Sequence, residues 1–290
     1  MGYFLLRESM LDSVLLARDR WLKPGGALYP SHARMFLAPC RTQQTGQRAS
    51  DFGAAMEGWG EFAGDMARLY GVDLRCLSEP FRQEQREYFL RTAAWADVHP
   101  SQLMGPGVAL AVAGAGAPVA AAAVNGAGDD AATPAAAAAD ELDLLALQVG
   151  QLQAVALEAD ATLRFSESGR AEGLVGYFDV SFRGSPENPA DDPVVLTTEP
   201  DADGATHWGQ QLFHVHPPLQ VVAGEAVRLH MRLQRREDNH RLLKVRFDLQ
   251  PAAAGEGAGG GGGGGGGGAD GGVKFSMPPG AARTLEYQIE

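Results

Sequence analysis

The sequence has little cysteine and contains no long uninterrupted run of strongly apolar residues. Cys40 and Cys76 are the two cysteines among 290 residues, and their separation fits neither a metal-binding nor a redox motif. A reducing intracellular compartment is therefore the simplest interpretation. The start of the chain lacks the pattern of a secretory signal peptide, and no run of about 18 apolar residues occurs. We expect neither secretion nor a membrane span.

Basic residues are also scarce relative to acidic ones. The chain has 24 Lys and Arg against 36 Asp and Glu, which gives a net charge of -12. A surface of this sign binds nucleic acid poorly and attracts basic peptides, although an acidic balance can also serve solubility alone. We expect no direct contact with nucleic acid. The length allows one large or two modest domains.

Two low-complexity inserts account for much of the alanine and glycine. One is rich in alanine and covers about residues 111–139, and the other covers about 252–272 and contains ten consecutive glycines, Gly259 to Gly268. Neither can bury enough apolar surface to offset the entropy of ordering it, so we expect two disordered loops. No P-loop or dinucleotide spacing follows the glycine run, which argues against a phosphate site.

A helix followed by a strand is predicted at the start of the chain. Residues 8–22 have helical periodicity, with Arg18, Asp19 and Arg20 on the solvent side, and Lys23 to Gly26 ends the helix. A strand over 33–38 follows, and this order is common at the end of an α/β layer. The apolar face of the helix is predicted to consist of Met10, Val14, Ala17 and Trp21.

A second helix is predicted over residues 51–70. It contains four glycines, each of which costs about 1 kcal/mol relative to alanine, so its apolar stripe needs a partner surface. That partner is either the core of the same chain, which the residues alone favour, or a second subunit. The stripe consists of Phe52, Met56, Trp59, Ala63, Met66 and Tyr70.

From residue 140 onward the pattern changes to short strands separated by Pro, Gly and Asn. This spacing is typical of an antiparallel sandwich or barrel. The fold class predicted is therefore mainly β. The predicted strands cover residues 140–145, 153–157, 161–165, 173–182, 194–198, 211–215, 226–234 and 242–249.

Several separated segments resemble one family in the right order. The opening MGYFLLRESM resembles the second half of the two-glutamate hairpin of protein arginine methyltransferases. Thr206-His207-Trp208 resembles the THW loop of that family, and Tyr70 to Asp73 resembles its dimerisation arm. The resemblance implies that residues 1–30 end an α/β domain that binds S-adenosylmethionine. Residues 31–290 would form a β-barrel substrate domain with a helical arm at about 48–80.

In this family two carboxylates bind the planar guanidinium of the substrate, whose five donors form a fixed fork. The resemblance assigns one of these carboxylates to Glu8, as a catalytic and substrate-binding residue. Without the flanking match, Glu8 would be interpreted as a favourable charge at a helix N-terminus. The other glutamate of the hairpin would lie ahead of Met1.

The resemblance assigns further substrate contacts to Tyr3, Met10, His207 and Trp208, with Met10 also close to the cofactor. Tyr3 and Met10 could equally be packing residues, and a His-Trp pair in a loop could be a structural contact. His214 and His216 lie two apart on a predicted strand, but no third ligand accompanies them, so we expect no metal site.

The cofactor-binding glycines and acidic residue of the family do not occur before Glu8. We therefore expect Met1 to be an internal methionine of a longer enzyme, and the chain to be inactive, poorly soluble and unable to bind S-adenosylmethionine alone. The alternative is a non-catalytic product that dimerises or binds arginine-rich peptides; an unrelated β-sandwich binding module is a third hypothesis. The sequences of the segments RESML, WLKPGG and ATHW most resemble those of the nuclear type I subgroup. This resemblance implies histone substrates, a homodimer and a nuclear or cytoplasmic location.

Overall fold

The computed structural model describes residues 1–112, 141–153, 157–252 and 282–290. Within these ranges the α-helices are α1 (Met10–Trp21), α2 (Gln43–Tyr70), α3 (Ser78–Leu90) and α4 (Val149–Leu152). Short 3-10 turns cover Arg7–Ser9, Arg75–Leu77 and Pro100–Gln102. The strands are β1 (His32–Cys40), β2 (Ala94–Ala96), β3 (Val108–Ala109), β4 (Ala111–Val112), β5 (Leu142–Asp143), β6 (Leu157–Arg164), β7 (Gly169–Gly184), β8 (Pro189–Thr197), β9 (Gln210–Val221), β10 (Ala226–Arg235), β11 (Leu243–Pro251) and β12 (Arg283–Ile289).

The strands form two antiparallel sheets, which confirms the predicted mainly β class. The first has seven strands in the order β2-β9-β7-β1-β3, with β5 paired to β1 and β8 paired to β7. The second has five strands in the order β12-β11-β10-β6-β4. Across the described ranges the two sheets stay separate, so the prediction of a closed barrel is wrong. Alternation of apolar residues shows which side of a strand is buried, but it does not show whether two edge strands pair.

Aromatic side chains from both sheets meet in one core. Phe213 of β9 packs edge-on against Phe247 of β11, with ring centroids 5.0 Å apart, and lies 5.3 Å from Tyr287 of β12. All three are at most 2% exposed. Such pairs add about 0.5–1.5 kcal/mol beyond the apolar area that they bury. This packing fixes the distance between the sheets.

The helix α1 buries a different face from the predicted one. Leu11 and Leu15 are buried, whereas Met10, Val14 and Trp21 are 53%, 38% and 74% exposed. The cause lies in the sequence MLDSVLLARDRW, which has two apolar stripes one residue apart, so helical spacing fits both. The buried stripe, with Leu11 and Leu15, packs on the core that the two sheets share.

Arg18 was predicted to face solvent, and this prediction is also wrong. Its side chain is buried, and Nη1 donates to the carbonyl oxygens of Leu144 and Leu147, each at 2.7 Å. These carbonyls belong to a loop outside the named strands, so they need a donor from elsewhere. Arginine can meet both with one planar group.

Strands are found at most of the predicted positions. The predicted strand over 140–145 is limited to Leu142–Asp143, and the helix α4 precedes residues 154–156, which lie outside the described residues. The strand β12, the helix α3 and the short strands β2, β3 and β4 were missed. Most of both predicted disordered inserts, residues 113–139 and 253–272, also lies outside the described residues.

The helices α2 and α3 pack against each other as an arm. Trp59 stacks on Phe81 with ring centroids 4.7 Å apart, and its Nε1 donates to Ser78 Oγ at 2.9 Å. Among the described residues of α2, Thr45 alone is buried, which disfavours the alternative in which this helix packs on the core of its own chain; the contact with a second subunit that the resemblance favours stays a prediction. Nor does any helix in the described ranges have both the length and the apolarity to cross a bilayer.

The arm is attached to the first sheet through Thr45. Its Oγ1 donates to the carbonyl oxygen of Glu172 at 2.8 Å and lies 2.9 Å from Nδ1 of His214. Because a carbonyl cannot donate, the hydroxyl proton is committed to Glu172, and Nδ1 of His214 must carry a proton. This leaves Nε2 of His214 unprotonated, and it is buried without a hydrogen-bond partner among the described residues.

Folding stability is expected to fall as the pH is lowered from about 6.5 to about 4. Burial, and then the charge of Arg48, lower the pKa of His214 from 6.5 to about 4. Between these values the unfolded chain binds a proton that the folded chain does not, so acid favours unfolding by about 3 kcal/mol over the whole window. Urea unfolding of the wild type and His214→Gln at both pH values measures the difference.

The exposed His99 provides the matched control, His99→Gln. Carboxylates also titrate below pH 6, but they contribute equally to all three proteins. The His214→Gln protein should therefore lose less stability on acidification than the other two. An equal loss in all three would contradict a role for His214 in the pH response.

Candidate functional site

The N-terminal hairpin, residues 1–9, has an unusual backbone. Phe4, Leu5, Glu8 and Ser9 have φ values of 47°, 62°, 77° and 59°, a region that costs residues with a Cβ of order 1–3 kcal/mol each. At Gly2 a Cβ would lie 1.7 Å from the carbonyl oxygen of Arg7, so a glycine is required there. Such strain persists only where the surrounding structure enforces it, and it is common at functional sites.

Buried apolar side chains enforce this conformation. Phe4, Leu5 and Leu6 are each at most 2% exposed, and the Phe4 ring packs edge-on against Phe213 in the core, 5.8 Å between centroids. These three side chains thereby anchor the hairpin to the core. Its polar residues, Arg7 and Glu8, remain at the surface.

The carboxylate of Glu8 already contacts a guanidinium. Nη1 of Arg7 donates to Oε1 of Glu8 at 3.2 Å, and the Glu8 side chain is 40% exposed. The Arg7 guanidinium also lies over the Tyr3 ring, 5.1 Å from its centroid. The Arg7 side chain is only 18% exposed, so the open side of the pair is the Glu8 carboxylate. A guanidinium from another molecule can reach Glu8 from that side.

The turn between β10 and β11 holds the hairpin from the second sheet. The backbone N–H of Glu8 donates to the carbonyl oxygen of Arg241 at 2.7 Å. The hydroxyl of Ser9 donates to the carbonyl oxygen of His240, also at 2.7 Å. These bonds fix the Cα of Glu8 and leave its carboxylate unconstrained by the turn.

Arg235, the last residue of β10, connects this turn to α1. Its Nη2 donates to Asp12 Oδ1 at 2.6 Å, and its Nη1 donates to Ser9 Oγ at 2.6 Å and to the carbonyl oxygen of His240 at 3.0 Å. The two charged side chains are 10% and 12% exposed. No sequence pattern drew attention to Arg235, because Ser9 and Asp12 lie more than 220 positions away along the chain.

The structure brings Trp208 to the start of the hairpin. Its Nε1 donates to the carbonyl oxygen of Met1 at 2.9 Å, and its ring packs edge-on against Phe178 at 6.0 Å. His207 is exposed and lies against Trp208, with centroids 3.8 Å apart. Met10 stands at the first residue of α1, two positions after Glu8, with its side chain exposed. Four of the five predicted site residues thus fall into two groups, Tyr3 with Glu8 and His207 with Trp208, on neighbouring segments, and Met10 belongs to neither group.

No metal centre is found among the described residues, which contain no group of three or more His, Cys, Asp and Glu placed to hold an ion. His214 is buried and His216 is exposed. Three cavities of about 470, 390 and 220 Å³ are lined by none of the five predicted site residues. None of these three cavities therefore places S-adenosylmethionine beside Glu8 or Met10.

Comparisons with known proteins identify the family. The model of the arginine methyltransferase oligomerization subdomain matches residues 32–252. The chain is 40% identical to protein arginine N-methyltransferase PRMT10 of Oryza sativa subsp. japonica over 247 residues, which cover 85% of this chain and 57% of the rice protein. The chain thus spans little more than half of that relative.

Solved structures agree with this result. The crystal structure of Arabidopsis thaliana protein arginine methyltransferase 10 matches with a TM-score of 0.78 at 33% identity, over 100% of this chain and 68% of that one. The Trypanosoma brucei PRMT1 enzyme-prozyme heterotetrameric complex with AdoHcy shares the fold, with a TM-score of 0.62 at 18% identity over 100% of this chain and 66% of that one. The chain belongs to the protein arginine methyltransferase family.

Proposed function

We propose that this chain forms the substrate-binding side of an enzyme that transfers methyl groups from S-adenosylmethionine to the guanidinium nitrogens of protein arginines. The observation that carries the proposal is the geometry of Glu8. Its carboxylate stands on a strained hairpin, is held through its backbone by the β10–β11 turn, and already accepts a hydrogen bond from a guanidinium. Membership of the arginine methyltransferase family supports the same activity.

In this function Glu8 orients the substrate guanidinium and holds its positive charge. A carboxylate can accept two parallel N–H bonds from a guanidinium, which fixes the plane of the group as well as its position. Holding the positive charge at the carboxylate leaves lone-pair density on the terminal nitrogen that points away. Positioning of this kind can supply a large part of a rate enhancement without covalent catalysis. His207 and Trp208 would form the floor of the same pocket.

The finer parts of the proposal concern the substrate, the cell location, the methyl donor and the oligomer. The wording of RESML, WLKPGG and ATHW favours type I chemistry on histones in the nucleus. The names of the relatives, and the AdoHcy of the trypanosome complex, support S-adenosylmethionine as the methyl donor. The oligomerization subdomain supports a homodimer formed through the α2–α3 arm. Met10 would contact the substrate arginine and influence how many methyl groups are added.

The test joins this chain to the part of the rice relative that it does not cover; we call this the joined protein. With S-adenosylmethionine, the joined protein is expected to methylate an arginine-containing histone-tail peptide and not the same peptide with lysine in place of arginine. Mass spectrometry of the peptide detects the product and separates mono- from dimethylation. Binding of the arginine peptide without methyl transfer would favour the non-catalytic peptide-binding alternative. The absence of both peptide binding and methyl transfer would refute the proposal.

A further inference from the structure

The strand β8 has an open edge. Among the described strands it pairs with β7 alone, through residues from Asp179 to Gly184 of β7. Its other edge therefore presents backbone N–H and C=O groups without a ladder partner in the described part of the chain. Val194 and Val195 are adjacent, so they point to opposite faces of the strand, and they are 56% and 55% exposed. An open edge with apolar side chains is a template for another strand.

Both ends of β8 are firmly held. At its start, the turn from Gly184 to Asn188 docks on the loop after α1, where Ser185 Oγ donates to the carbonyl oxygen of Gly25 at 3.2 Å and Asn188 Nδ2 donates to the same oxygen. After its end, Thr198 Oγ1 donates to the carbonyl oxygen of Phe178 at 3.0 Å. A strand fixed at both ends is preorganised, so a partner meets little ordering cost on this side.

Charge selects the kind of partner. The segment 187–203 contains six acidic residues and no Lys or Arg. All six are exposed. Such a segment attracts a cationic chain and repels a second copy of itself, since like charges opposite each other in a sheet are destabilising. The six are Glu187, Asp191, Asp192, Glu199, Asp201 and Asp203.

The position of β8 relates it to the predicted arginine pocket. The strands β8 and β9 lie on the same side of β7, β8 beside residues 179–184 and β9 beside residues 169–176. The loop 198–209 joins them and contains His207 and Trp208. A peptide paired with β8 would therefore run towards that loop.

We propose that β8 binds an extended, arginine-rich peptide segment as an added strand, through the open edge at Val194–Thr197, with arginines of the peptide facing Asp191 and Asp192. The inference rests on the proposed function, because the bound peptide segment would flank the arginine that is to be methylated. Pro189 and Pro193 block ladder bonds in the first half of β8, which confines the added strand to its second half. Main-chain bonds give the affinity, and the acidic residues select the basic partner.

The test measures binding to the 290-residue chain, so it is independent of methyl transfer. A labelled peptide of about eight residues, with two arginines at each end and alternating valine and threonine between them, is titrated by fluorescence anisotropy at low salt. The Asp191→Asn/Asp192→Asn variant is expected to raise Kd about fivefold, because two exposed attractive pairs are lost. The matched control Glu57→Gln/Glu61→Gln, on α2, removes the same charge and should leave Kd unchanged.

A second peptide tests the added strand itself. N-methylation of alternate residues keeps every charge but removes backbone donors, and should raise Kd at least tenfold if two or more ladder bonds form. Equal binding of both peptides, an equal effect of the two double variants, or no binding by the wild type would each overturn the proposal. Dimerisation through β8, detected by sedimentation and abolished in Val195→Lys, would also overturn it in favour of a second copy. Methyl transfer by the joined protein without binding at β8 would overturn this inference and leave the proposed function standing.

Discussion

Replacing Glu8 with glutamine is expected to lower kcat/KM for arginine methylation by the joined protein about 100- to 1,000-fold, the range seen when one preorganised electrostatic contact is removed from an active site. The amide keeps the size of the side chain but loses its charge, and its NH2 group opposes the N–H donors of the guanidinium. Methyl transfer to a histone-tail peptide, measured over a range of peptide concentrations, separates the effects on kcat and KM. Both are expected to worsen, because Glu8 both binds and orients the guanidinium.

The control for this variant is Glu57→Gln, which makes the same chemical change at an exposed position on α2. It should leave the rate unchanged. Both variants should melt at the wild-type temperature, since Glu8 is 40% exposed and its pairing with Arg7 contributes little to folding. If the Glu8→Gln protein is folded and retains more than about half of the wild-type rate, Glu8 does not carry the proposed function.

The class of fold could be predicted from the sequence because it depends on local patterns. Alternating apolar residues in β10, with Val227, Leu229 and Met231 inward, indicate a half-buried strand whatever its neighbours are. The separation of the sheets depends on which edges pair, and no local pattern records that. The buried face of α1 was mispredicted for a related reason. Two apolar stripes fit the helix equally well, and the choice between them is made by the surface it packs on.

The candidate site likewise has residues that a local sequence pattern indicates and contacts that depend on distant segments. Glu8, His207 and Trp208 are predicted as site residues because a resemblance drew attention to their segments. The contact of Trp208 with Met1 could not be predicted, since 207 positions separate the two residues. Arg235 carries no motif and was missed, and Ser9 was not singled out within MGYFLLRESM, although both hold the hairpin in place. A buried arginine at the end of a strand is a weak signal in a sequence. It becomes informative once its carboxylate and hydroxyl partners are seen.

Replacing Arg235 with methionine is expected to destabilise the chain by about 4 kcal/mol, within the 3–5 kcal/mol usual when one partner of a buried ion pair is removed. The carboxylate of Asp12 would stay 12% exposed without its 2.6 Å bond to Arg235. Chemical denaturation measures the loss. The control is Arg232→Met on the same strand, where a 3.8 Å pair with Glu158 is about half exposed and should contribute less than about 1 kcal/mol. An Arg235→Met protein as stable as this control would contradict the expected effect.

A double variant separates stability from the positioning of Glu8. Replacing both partners, Asp12→Leu with Arg235→Met, removes the unpaired charge and should recover most of the lost stability. It cannot restore the bond from Arg235 to Ser9, next to Glu8. Affinity for an arginine peptide should therefore stay reduced in the double variant, and remain unchanged in Arg232→Met. If stability and affinity instead recover together, Arg235 supports the fold alone, and the position of Glu8 is set by its backbone bond to Arg241.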